Sequence, residues 1–187
     1  SPLCIGDNPT YTANGVELGG GTGAWSSVDV TGTSVATVNA SGQVTANSVG
    51  TANIIYTITG GCGGTISDQQ LVEVYPNAVV GSVTGLSTLC LSGVDTFVVA
   101  GVDSGGTGIG AWVSSNPTVA SVDVNGVVTA NNAGSANISF VVTGGCASPA
   151  SAVQAVTVTA NPDVAPTGIT ITPAVSPLCG GGAFTLT

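Results

Sequence analysis

The stretch GTANIIYTITGGC, residues 50–62, alternates with a period of two: Ile54, Tyr56 and Ile58 fall on one face, and Asn53, Ile55, Thr57 and Thr59 on the other. Successive side chains of a strand point to opposite faces, so the stretch reads as a β-strand with the Ile54 face toward a core. It returns as GSANISFVVTGGC, residues 134–146, with Ile138, Phe140 and Val142 on the matching face. Downstream, Val72 and Val74, and their counterparts Val156 and Val158, read as inward positions of a last strand, with Glu73 and Thr157 outward. Upstream, VATV (35–38) and QVTA (43–46) flank Asn39-Ala40-Ser41-Gly42, and Val124-Asn125-Gly126 holds the same place in the second copy. Asn-Gly between two β-patterned runs is a hairpin signal.

The repeat extends further in both directions. AWSSVDVTGTSVATVNASGQVTAN (24–47) answers to AWVSSNPTVASVDVNGVVTAN (111–131). SPLCIGDNPTYT (1–12), STLCLSGVDTFV (87–98) and SPLCGGGAFTLT (176–187) are three openings of the same unit. The 187 residues thus hold two nearly complete repeats and the start of a third. We expect domains at 1–76, lacking its first strand or receiving it from a neighbour, and at 77–161, with 162–187 opening another. Val79–Thr84 is the strand that the first copy lacks. Pro76-Asn77 and Asn161-Pro162-Asp163 read as short linkers.

Composition agrees with an all-β class. Gly, Thr, Val, Ser and Ala dominate, and short Val/Ile/Thr runs alternate with Gly/Asn/Asp/Pro clusters. The chain has no Lys, Arg or His against nine acids, a net charge of −9. Phosphate neutralisation by Lys and Arg supplies most non-specific nucleic-acid affinity, so nucleic acid is excluded as a partner. Attraction to anionic membrane surfaces fails on the same ground, and no apolar run approaches the ~20 residues that a spanning helix needs.

Each complete repeat carries two cysteines, Cys4 with Cys62 and Cys90 with Cys146. No Cys or His spacing suggests a metal site, so we expect one disulfide within each domain. Each would stabilise its domain by about 4 kcal/mol in the chain-entropy description. Disulfides place the chain in an oxidising, extracellular compartment. Cys179 aligns with Cys4 and Cys90; its expected partner lies either in a continuation beyond Thr187 or in another chain. Trp25 and Trp112 sit between the cysteines of their repeats and, with Tyr56, Phe140, Tyr11 and Phe97, are expected in the core; sugar stacking is the competing reading for the tryptophans.

Little in the chain suits chemistry. The glycine-rich runs GGGTG (19–23) and GGTGIG (105–110) lack the lysine of a phosphate loop. Ser and Thr hydroxyls have no His or Lys to act as base. Glu17 and Asp103 form the one acid position shared by the repeats. Asp123 beside Asn125, and Asp163 beside Asn161, are weak calcium candidates, with solvated turns as the preferred reading. We therefore expect no enzyme activity and no cofactor.

Two runs carry a family resemblance: V-A-T-V-x-x-x-G-x-V-T-A followed by G-T-A-x-I-x-Y-T-I-T, within Trp25 to Thr59 and again, with small changes, within Trp112 to Thr143. They resemble the bacterial immunoglobulin-like group 2 domain. The added cysteines, Leu-Cys near the start and Gly-Gly-Cys after the long strand, are similar to tandem repeats of large secreted adhesins and surface filament proteins of the Bacteroidota. The resemblance implies tandem immunoglobulin-like β-sandwiches at the bacterial cell surface, serving as a non-enzymatic fibre or adhesin stalk. It also implies partners: copies of the chain itself, associating end to end, laterally or by strand complementation, or a surface glycan or protein. The alternatives are a glycan- or protein-binding adhesive module and an accessory domain of a secreted enzyme.

Overall fold

The structure is a computed structural model and describes residues 2–160. Fifteen strands and no helix form among the described residues. In the first half these are β1 (Leu3–Cys4), β2 (Thr22–Thr31), β3 (Ala36–Val38), β4 (Val44–Ala46), β5 (Gly50–Gly61) and β6 (Gly64–Tyr75). There follow β7 (Val79–Thr84), β8 (Thr88–Cys90), β9 (Val94–Thr96), β10 (Val98–Asp103) and β11 (Ile109–Ser114), then β12 (Ala120–Val122), β13 (Val127–Ala130), β14 (Gly134–Thr143) and β15 (Ala150–Thr159). The chain is all-β, as its composition and alternation indicated.

Two compact units divide it. Unit 1 takes Ser1–Ala78 together with the loops Asp103–Ile109 and Thr143–Pro149; unit 2 takes Val79–Val102, Gly110–Val142 and the chain from Ala150. The units follow the repeats except at those two loops, which group with the first. Residues 162–187, expected to open a third repeat, lie outside the described residues.

In unit 1 a four-stranded sheet runs in the order β1-β6-β5-β2, and β3 pairs with β4. The Ile54 face of β5 is inward: Ile54, Val72 and Val74 are buried with Val35, Val44 and Leu3. Burying a Val or Ile side chain is worth about 1.5–3 kcal/mol, so this alternation drives the sheet closed. In unit 2 the sheet order is β11-β14-β15-β8, with β12-β13-β9 and β10-β7 as smaller sheets. Its core gathers Val83, Leu89, Phe97, Val128, Ile138, Val156 and Val158.

The two hairpins close identically. Oδ1 of Asn39 accepts from the Ser41 and Gln43 amides at 3.0 Å each, and Oδ1 of Asp123 accepts from those of Asn125 and Val127 at 2.8 and 2.9 Å. Each turn ends on a left-handed glycine, Gly42 at φ +81° and Gly126 at φ +82°. A Cβ there would meet the Tyr11 carbonyl at 2.3 Å or the Phe97 carbonyl at 2.5 Å. Glycine is therefore required twice over, by φ and by the close backbone approach.

The cysteine pairing differs from expectation. Cys4 is bonded to Cys146, with Cα atoms 5.3 Å apart, and Cys62 is a free, exposed thiol. The expected pairs Cys4–Cys62 and Cys90–Cys146 do not form, and strand geometry gives the reason. β1 lies parallel to β6 with Leu3 opposite Val74, and Val74 in turn faces Gly50, the first residue of β5. Cys62 follows the last residue of that 12-residue strand. At ~3.4 Å per residue it lies about 40 Å from Cys4, whereas a disulfide requires Cα atoms within ~7 Å. The same holds in unit 2: Leu89 pairs with Val158, Val158 with Gly134, and Cys146 follows the far end of β14. Cys90 is disulfide-bonded, and Cys179 lies outside the described residues.

Candidate functional site

Two features of unit 1 stand out chemically: the Cys4–Cys146 bridge with its surroundings, and an open groove. The bridge is set by backbone bonds. The Cys146 amide donates to the Gly105 carbonyl at 3.0 Å, and the Ala78 amide donates to the Cys146 carbonyl at 2.6 Å. Oδ1 of Asp103 accepts from the Gly105 amide at 2.9 Å, holding the glycine-rich loop that receives Cys146. The first repeat has the same frame: the Cys62 amide donates to the Gly19 carbonyl at 3.2 Å. Both glycine-rich runs therefore act as backbone seats for a cysteine. The free Cys62 and the bonded Cys146 occupy equivalent seats.

The groove has a volume of about 930 Å³ and is bounded by the segment Pro9–Glu17 on one side and Ile66–Gln70 of β6 on the other. Its floor is Ile54, Tyr56, Ile58 and Trp25. Trp25 and Tyr56 meet edge to face with ring centroids 4.9 Å apart, and both this pair and Trp112 with Phe140, at 5.2 Å, are T-shaped. Such pairs add about 0.5–1.5 kcal/mol beyond area burial. Trp112 and Phe140 pack on the core of unit 2, and Trp25 and Tyr11 pack on that of unit 1. Partial burial pushes the Tyr11 phenol above its ordinary pKa. Phe97, at the position of Tyr11 in the second repeat, is fully buried at 1% exposure.

Asp103 and Asp123 serve turns. Oδ1 of Asp123 is engaged by two amides, and the backbone bond from Val127, followed by the Asn125 contacts, holds its carboxyl below the ordinary range. Asp163 lies outside the described residues. Among the described residues no three His, Cys, Asp or Glu side chains gather as a metal ion would need. No described helix is long and apolar enough to cross a membrane. Reading the sequence alone, we missed the groove as a site and the partner of Cys4.

The bacterial Ig-like domain (group 2) family matches residues 95–148. No curated protein matches the chain. Among solved structures, a C-terminal 282-residue fragment of intimin, in complex with the intimin-binding domain of its translocated receptor, is similar at 18% identity. It covers 72% of this chain and 50% of its own, with a TM-score of 0.40. Drosophila N-cadherin is similar at 12% identity over 85% of this chain and 46% of its own, TM-score 0.43. An I-band fragment of titin is similar at 10% over 86% and 62%, TM-score 0.44. The chain spans about half the length of the first two. From its strand order, its paired aromatics and the matched segment, the chain is an all-β protein of immunoglobulin-like fold.

Proposed function

We propose that this chain is a non-enzymatic, extracellular structural protein, a run of tandem immunoglobulin-like repeats that builds a bacterial surface fibre or adhesin stalk. One observation carries the reading: Cys4 of the first sequence repeat is bonded to Cys146 of the second. Cysteines joined from repeat to repeat serve to tie modules together, and such bonds persist in oxidising surroundings outside the cell. The absence of Lys, Arg and His leaves only carboxylates, tyrosines and cysteines as proton-transfer groups, which supports a structural role over a catalytic one. The domains follow the sequence repeats, with residues 162–187 opening a third, and the partners are further copies of the same module. Immunogold labelling and negative-stain microscopy of the source cells test the reading. Labelled extracellular fibres or stalks are expected; label confined to the cell interior would overturn it.

A further inference from the structure

We infer that Asn14 is a site of spontaneous chemical modification, where an exposed side-chain amide converts to aspartate and isoaspartate, and that the fold withholds the same reaction from Asn125. The inference concerns the chain's own chemistry with water and is independent of what the chain builds.

Asn-Gly occurs twice in the 187 residues, at Asn14-Gly15 and Asn125-Gly126, and valine follows each time. The reaction begins when the backbone nitrogen of the following residue attacks Cγ of the asparagine. A bond from that nitrogen to Cγ forms and the Cγ–Nδ2 bond breaks. Nδ2 leaves as ammonia, with the proton that the backbone nitrogen gives up. Water then opens the cyclic imide at either carbonyl, leaving aspartate or, where the main chain now runs through the side chain, isoaspartate. Glycine hinders the attack least, because it has no Cβ beside the nitrogen and reaches the widest range of φ. Two identical Asn-Gly-Val tripeptides therefore start level, and their surroundings decide between them.

At Asn125 the surroundings oppose ring closure. Gly126 is buried, its amide donates to the Asp123 carbonyl at 3.1 Å, and its carbonyl accepts from the Phe97 amide at 2.8 Å. The amide of Asn125 itself donates to Oδ1 of Asp123 at 2.8 Å. A Cβ on Gly126 would stand 3.0 Å from the Trp112 ring, so the glycine is packed as well as bonded. The nitrogen of Gly126 reaches Cγ of Asn125 only after these hairpin bonds break, and the reaction waits on local opening.

At Asn14 the same tripeptide lies on the surface. Asn14 and Gly15 are both exposed, and Gly15 turns the chain at φ +66°. This is a property of the position in both repeats. Ala100 and Gly101, the matching residues of the second, are exposed too, although β10 is paired there with β7, and Gly101 has φ +64°. Water therefore has access to the imide at Asn14. Asn14 lines the groove together with Glu17 and Asp68, so conversion places a third carboxylate on that lining. It adds one negative charge to a chain that carries −9.

The test holds the full chain in warm, mildly alkaline buffer and follows both sites by peptide mapping and mass spectrometry, with Asn14→Asp as the standard for one product. Chymotrypsin and a glutamyl endopeptidase provide the fragments, because a chain without Lys or Arg gives trypsin no site. Asn14 is expected to convert at least ~10-fold faster than Asn125 in the folded chain. In concentrated urea, where the hairpin is gone, the two rates should agree within about 2-fold. Asp123→Ala, which removes the carboxylate that gathers the turn, should speed conversion at Asn125 and leave Asn14 unchanged. Equal rates in the folded chain, faster conversion at Asn125, or an Asn14 that reacts in urea but stays intact when folded would overturn the proposal. An Asn125 as slow in Asp123→Ala as in the parent would overturn the protection assigned to the hairpin.

Discussion

The two repeats share a turn, a glycine seat for cysteine, an aromatic pair and a core pattern, yet they differ in the segment that follows the first cysteine. Unit 2 has β9 and β10 where unit 1 has the loop from Gly6 to Gly20 and one isolated bridge, Thr10 with Gln43. The consequence is visible in one residue pair: Phe97 is sealed, and Tyr11 is half-buried. In unit 2, β9 pairs with β13 and β10 with β7, so the backbone on either side of Phe97 has strand partners.

The comparison can be broken most forcefully at the bridge. Cys4→Ala should destabilise unit 1 by about 5 kcal/mol, the chain-entropy value for a loop somewhat longer than 100 residues, read from urea unfolding. Native alkylation followed by mass spectrometry should modify Cys62 but not Cys4 or Cys146 in the parent chain, and should add Cys146 in the variant. Labelling of Cys4 in the parent chain would refute the pairing.

The aromatic positions sharpen the contrast. Phe97→Ala should cost about 3–5 kcal/mol, as for a large core side chain, whereas Tyr11→Ala should cost about 1 kcal/mol. Trp112→Phe and Trp25→Phe backgrounds let tryptophan fluorescence report each unit separately. Equal losses would mean that unit 1 is closed in solution by some other segment.

At the hairpins the repeats should behave alike. Gly42→Ala and Gly126→Ala each place a Cβ against a backbone carbonyl in a left-handed turn, and each should cost about 2 kcal/mol by the same measurement.

The smallest expected difference is a pH effect. Asp123 has its carboxyl pKa lowered in the folded state, so its contribution is present above the unfolded carboxylate pKa of ~3.9 and is lost as pH falls through the lower folded value. Asn39 at the same place does not titrate. Acid should therefore weaken the second hairpin and spare the first, and Asp123→Asn should remove the difference. Amide exchange at Val127 and Gln43 between pH 5 and 2 reads both.

Much of the fold was legible because alternation is a local signal. Ile54, Val72, Val74, Ile138, Val156 and Val158 were assigned inward from spacing alone, and all six are buried. The hairpin followed from Asn-Gly, whose turn needs only neighbouring residues. The cysteine partners were not legible from order and count. They depend on which end of a long strand each cysteine occupies, and that was set by the parallel pairing of β1 with β6, a non-local choice of only two residues. The groove was not legible: it lies between Pro9–Glu17 and Ile66–Gln70 of β6, segments far apart in sequence, and the exposure of Ile66 at its edge is visible only in the coordinates.

The bridge also decides how this polypeptide carries load. Cys4 and Cys146 are 142 residues apart along the chain and joined by a single sulfur–sulfur bond. Tension entering ahead of Cys4 and leaving after Cys146 passes through that bond and bypasses everything enclosed between them. At ~3.5 Å per residue, about 500 Å of contour length is held in reserve, and only a reductant, not a pull, can release it.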